Sequence, residues 1–339
     1  MFLNHSFISI ELSLPVNNDY YYKLKEANEK ELCNNLFAKF DNKDVFLTGN
    51  NENSHFKIDI LIPKNYKIGN KTCLFIHGSG SSKLSSRNKY VANGLLEMNL
   101  CCCLMNLFTA EEEKIDNVTR ENRFNIELLT SRVLTVVDYL LNIDQLIQKE
   151  KFKNFINCMN CDEEISTIIN YLSIISKNKM ILFGSSTGAA AALFSTYYKS
   201  DRIAGVISRG GRPDLVPSII IKNFPCYSTL YNHAIPVLFI VGSNDYCVSP
   251  LNKKIYIQIG QGLELKEKQK QAINENHRNR EYSQNKKFHP SSINNCNTTN
   301  NNYYLKEWRW VENASHLFTE NGAIEKVLQY TKEWIKNLN

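Results

Sequence analysis

The chain has no long hydrophobic run. Nowhere among its 339 residues do apolar side chains continue for the ~18 positions that a membrane-spanning helix needs, so no membrane span is expected. The first ten residues, MFLNHSFISI, lack the basic start and the small-residue cleavage site of a secretory signal. The cytoplasm is therefore the expected location, with the N-terminal extension left open as the place for an unread targeting signal. Concentrated basic patches are missing as well, because the net charge of +6 comes from lysines scattered along the chain. A nucleic-acid partner would call for Arg and Lys clustered on one face, with aromatics or a known module, so none is expected.

Paired metal-ligand spacings are also lacking. Cys158-Met-Asn-Cys161 has C-x-x-C spacing, but no second such pair or close Cys/His pair exists to complete a zinc site. The run Cys101-Cys102-Cys103 lies in an apolar stretch, Leu100 to Leu107, that reads as a buried strand. Adjacent strand residues point to opposite faces, so these three thiols cannot readily pair with one another. Buried, reduced cysteines acting as small hydrophobes fit this pattern and suggest a reducing compartment. No metal and no cofactor is expected.

Glycine is scarce, with only 14 in the chain, and two of these frame a serine. Met180 to Leu193 reads MILFGSSTGAAAAL: an apolar strand, Gly184-x-Ser186-x-Gly188, then a helix of small residues that can pack close to a sheet. This is the pattern of a nucleophile elbow, a strand-to-helix turn that holds its serine in strained geometry above the sheet edge. The hydroxyl there needs a base, an orienting acid and an oxyanion site, in the chain order Ser, Asp or Glu, His. Pro236 to Gly242 is an apolar run of strand length that leads to Asp245. Trp308 to Glu312 alternates like a last strand and leads to His316, ahead of a helix over Gly322–Asn337. The expected catalytic set is Ser186, Asp245 and His316. For the oxyanion site the pattern predicts the backbone N–H groups of Thr187 and of Ser79, in the His77-Gly-Ser-Gly80 loop after the strand Thr72–Ile76. His77 itself is expected to pack beneath that loop and satisfy backbone groups.

A family resemblance rests on these motifs. Its stretches are His77 to Ser82 continuing to Ser86-Arg87-Asn88, Thr109 to Glu113, Thr119-Arg120 with Arg123-Phe124, the elbow, Ser208 to Leu215, and Ala314-Ser-His-Leu-Phe318. The chain resembles α/β-hydrolases of the dienelactone-hydrolase-like branch, in particular members with a serine elbow, over most of Val45–Trp334. The resemblance implies an α/β-hydrolase fold, a mostly parallel central sheet with helices on both faces. Dienelactone hydrolases proper use a cysteine nucleophile, and Ser186 departs from that.

The remaining text adds elements around this frame. Residues 1–43 read as an N-terminal extension and 44–339 as the hydrolase domain. Val45–Leu47 and His55–Ile62 read as an opening hairpin, and Ile126–Leu141 as an amphipathic helix. An insertion at about 146–177 carries apolar residues at helical spacing. A second, at about 262–302, is rich in Lys, Asn, Gln, Glu and Ser without apolar periodicity, which predicts disorder. Thr109 and Glu112 have the spacing of a capping box. In Ser208-Arg-Gly-Gly-Arg-Pro-Asp214, Arg209 or Arg212 could grip a substrate carboxylate or phosphate, or the turn could tie loops together through an arginine and Asp214. Asp214 is also a rival to Asp245 as the orienting acid, with Asp245 favoured for ending the cleaner strand.

The expected activity is cleavage of a small ester or related acyl bond through an acyl-enzyme. The alternatives are acyl transfer by the same residues or a catalytically silent binding or scaffold protein. The expected partner is a small-molecule acyl substrate; oligomeric state is not readable from the sequence.

Overall fold

Apolar runs buried on both sides form the middle of a nine-stranded sheet. The computed structural model describes residues 7–16, 55–143, 156–159, 165–226, 234–262 and 305–338. The first half contains β1 (Phe7–Pro15), β2 (His55–Pro63), β3 (Thr72–Ile76), α1 (Ser86–Leu96), β4 (Cys101–Met105), α2 (Ala110–Thr119), α3 (Ile126–Leu141) and β5 (Ile156–Met159). There follow α4 (Ile165–Lys177), β6 (Met180–Ser185), α5 (Thr187–Lys199), β7 (Ile203–Arg209), α6 (Ser218–Lys222), β8 (Val237–Gly242), α7 (Ser249–Gln258), β9 (Lys306–Val311) and α8 (Ala323–Lys336).

The strand order is β5-β1-β2-β4-β3-β6-β7-β8-β9. From β4 to β9 all neighbours are parallel, and β5, β1 and β2 join antiparallel at one side. Every residue of β3, β4, β6 and β8 is buried, as a parallel sheet covered on both faces requires. Side-chain alternation sorts them into two cores. Leu74, Ile76, Cys101 and Cys103 join the core that takes in α3, α4 and α5. Cys73, Phe75, Cys102 and Leu104 join the core beneath α1 and α8. The three consecutive cysteines thus face opposite cores, free and buried, as expected from strand pleat.

The antiparallel side departs from the sequence reading. Phe7–Pro15, inside the segment set apart as an extension, pairs along the whole of β2 and on its other side with β5. Ile8, Ile10, Leu12 and Leu14 are buried, so this strand is part of the sheet. Val45–Leu47, expected to pair with His55–Ile62, lies outside the described residues. The insertion expected to be helical is mixed: β5 is a strand, and α4 is a helix that buries Ile168, Leu172 and Ile175. The 262–302 insertion lies outside the described residues beyond Gly262. Ile126–Leu141 is helical over the span read from its periodicity. Among the described residues no helix is long and apolar enough to cross a membrane.

Candidate active site

β6 ends at Ser185 and α5 begins at Thr187, so one residue makes the reversal. Ser186 has φ 51° and ψ −122°, a region that non-glycine residues occupy at a cost of ~1–3 kcal/mol. The flanking glycines make the turn possible. A Cβ on Gly184 would stand 2.3 Å from Ala189 Cα, and one on Gly188 would stand 2.4 Å from the His77 carbonyl oxygen. The turn is also pinned from the next strand. Ser186 N–H donates to the Arg209 carbonyl at 3.2 Å, and the Ser186 carbonyl accepts from Ala189 and Arg212 N–H, both at 3.0 Å.

Two loops bring the partners to this hydroxyl. His316, between β9 and α8, has Nε2 3.3 Å from Ser186 Oγ and Nδ1 2.7 Å from Asp245 Oδ2. Asp245, just past β8, is buried, and its other oxygen accepts from Val248 N–H at 3.2 Å. A carboxylate only accepts, so the ring donates from Nδ1, which leaves Nε2 able to accept from the serine hydroxyl. The rival acid is engaged elsewhere. Asp214 holds Arg212 bidentately, Nε–Oδ1 2.9 Å and Nη2–Oδ2 2.8 Å, which is the loop-tying arrangement.

Ser79 lines a cleft of about 120 Å³ with Ser186, His316, Arg87, Asn88 and Arg209. Thr187 opens α5, where helix geometry leaves backbone donors without intrahelical partners. His77 lies under the loop, with Nδ1 2.9 Å from the Gly78 carbonyl while Nε2 accepts from Leu107 N–H at 3.1 Å. Burial pushes its pKa down to about 4, so the ring is neutral and its two nitrogens tie the loop to the end of β4.

The two candidate arginines part company. Arg212 faces Asp214, whereas Arg209 is only 7% exposed and reaches the cleft. Arg209 Nη2 donates to Ser185 Oγ at 2.6 Å, and Ser185 Oγ is 3.3 Å from Asn88 Oδ1. Its guanidinium lies near the Phe183 and Phe318 rings, 6.0 and 5.9 Å from their centroids. Arg87 and Asn88 were missed as cleft residues, although Ser86-Arg87-Asn88 carried part of the resemblance. Their signal is position: they open α1 directly after the glycine loop, with Ser85 as N-cap. Thr109 and Glu112 form the expected capping box, and Glu112 also meets buried Arg132 at 2.5 Å. Among the described residues no group of three or more His, Cys, Asp or Glu could hold a metal ion.

Comparison with known proteins agrees with this fold. The crystal structure of a dienelactone hydrolase from Anabaena variabilis is 28% identical, superposes with a TM-score of 0.54, and is matched over 84% of this chain and 92% of that one. The chain has the α/β-hydrolase fold and is dienelactone-hydrolase-like. No family model matches it. Two Mycobacterium tuberculosis proteins, from strains CDC 1551 and H37Rv, are each 34% identical to this hydrolase over 181 residues, 53% of this chain. Both are provisionally named phosphoribosyl transferases, and the match spans only 31% of their length.

Proposed function

We propose that this hydrolase cleaves a small ester or related acyl bond by nucleophilic catalysis at Ser186. What supports the reading is the His316 ring held between Asp245 and the Ser186 hydroxyl, at 2.7 and 3.3 Å. Ser186 Oγ attacks the acyl carbonyl while His316 Nε2 takes its proton. Asp245 keeps the other ring proton on Nδ1 and stabilises the imidazolium that forms. The N–H groups of Ser79 and Thr187 stabilise the oxyanion. Collapse of the tetrahedral intermediate expels the alcohol, which takes the proton from His316. Water, activated by the same ring, then releases the acid from Ser186.

The transferase name of the mycobacterial relatives is not carried over, because the aligned segment is under a third of their length. The test is hydrolysis of p-nitrophenyl esters of short acids by the full chain. Wild type is expected to turn over at least one, and Ser186→Ala to lose activity by a factor of about 10⁴ or more. Equal rates for the two proteins would overturn the proposal.

A further inference from the structure

Four arginines elsewhere in the fold come with carboxylates, and Arg202 donates to the Ser176 carbonyl instead. Arg123 pairs with Asp116, Arg132 with Glu112, Arg212 with Asp214 and Arg309 with Glu307. Arg87 and Arg209, which meet in the cleft beside Ser186, form no ion pair among the described residues. The acids nearest in function are already committed, Asp245 to His316 and Asp214 to Arg212. Both guanidinium groups also keep a buried N–H without a hydrogen-bond partner among the described residues, Nε of Arg87 and Nη1 of Arg209. Burial and the nearby Arg87 charge lower the Arg209 pKa to about 9, so Arg209 remains a cation at neutral pH. Two like charges, one of them more than nine-tenths buried, are thus held together with no anion among the described residues paired to them.

Such a pair is costly unless something negative enters between the groups. A planar guanidinium fits phosphate and carboxylate oxygens in pairs, and two together match a charge of −2 better than −1. We propose that Arg87 and Arg209 form an anion site in the cleft, and that the acyl substrate of Ser186 carries a doubly charged group of the phosphate-monoester kind. Ser185 Oγ, which donates to Asn88 Oδ1, accepts from Arg209 and orients its guanidinium. The proposal rests on the reading of Ser186 as the nucleophile only for what the anion is attached to.

Titration calorimetry with inorganic phosphate, at constant ionic strength and a pH where the dianion predominates, tests it on the full chain. Wild type and Ser186→Ala are both expected to bind one phosphate saturably. Arg87→Gln, a change at a half-buried position, is expected to weaken binding at least tenfold. Arg209→Lys should weaken it too, and Arg87→Gln keeps the test decisive if the buried change fails to fold. Absence of saturable binding to wild type, equal binding by Arg87→Gln, or acetate binding as tightly as phosphate would each overturn the proposal. Fluorophosphonate labelling of the same samples separates this from the hydrolase reading. Labelled protein that ignores phosphate sinks the anion site alone, and protein that binds phosphate but never labels upholds the anion site while sinking the nucleophile.

Discussion

Ser186 sits in strained backbone geometry, and the strain is measurable. Glycine at that position would relax φ 51° without a Cβ, so Ser186→Gly is expected to raise unfolding stability by about 1–3 kcal/mol while abolishing turnover. Chemical denaturation beside an esterase assay checks both halves. Asp245→Asn is expected to lower kcat by about 10⁴-fold, since an amide would favour the wrong imidazole tautomer. Asp214→Asn, which only loosens the Arg212 pair, should fall far less. His77 gives a pH signature. Its folded pKa of about 4 lies below the unfolded 6.5, so between these values the unfolded chain binds more protons. The contribution, of order 3 kcal/mol, is complete above pH 6.5 and lost as pH falls toward 4. His77→Gln should flatten that part of the wild-type stability profile in urea unfolding. The meeting of Ser186, Asp245 and His316 was legible because the proposed reaction prescribes their types, order and strand ends. Arg87 was not, because a lone arginine at a helix start looks like any solvated one until the fold shows that no acid among the described residues pairs with it.

Among the elements, the elbow was legible because glycine spacing, an apolar strand and a small-residue helix all point to one turn. β1 was not. Its alternation buries Ile8, Ile10, Leu12 and Leu14, but the partner strand β2 begins forty residues later, and local pattern says nothing about pairing at that range. One residue of β1 reaches toward the glycine loop. Glu11, buried in the sheet, accepts from Lys83 at 2.5 Å, and Lys83 also meets Asp59 at 2.5 Å. Lys83 follows the loop that carries Ser79, so the N-terminal strand helps to anchor the segment proposed to bind the oxyanion. Removing one member of a buried charge cluster leaves the others uncompensated. Lys83→Ala is therefore expected to cost about 3 kcal/mol or more in denaturant unfolding. Lys57→Ala, which removes an exposed lysine from the same Glu11, should cost under about 1 kcal/mol.

At the scale of the whole molecule, the parallel strands order the chemistry. β3, β6, β8 and β9 all run the same way, so the loops after them converge on one sheet edge. Ser79, Ser186, Asp245 and His316, spread over more than two hundred residues of sequence, meet there because each follows one of these strands. That is why class and architecture could be read from the chain alone while the substrate could not. Pocket shape is set by side chains from α1, β7 and the loops, whose meeting depends on packing rather than on any one motif. The central claim is that Ser186 is the activated nucleophile, and covalent labelling tests it most directly. After exposure to a fluorophosphonate, intact-mass and peptide analysis of folded wild type should show a single adduct on the peptide containing Ser186, with none on Ser186→Ala. Folded wild type that stays unmodified, or a Ser186→Ala protein that labels equally, would contradict the account.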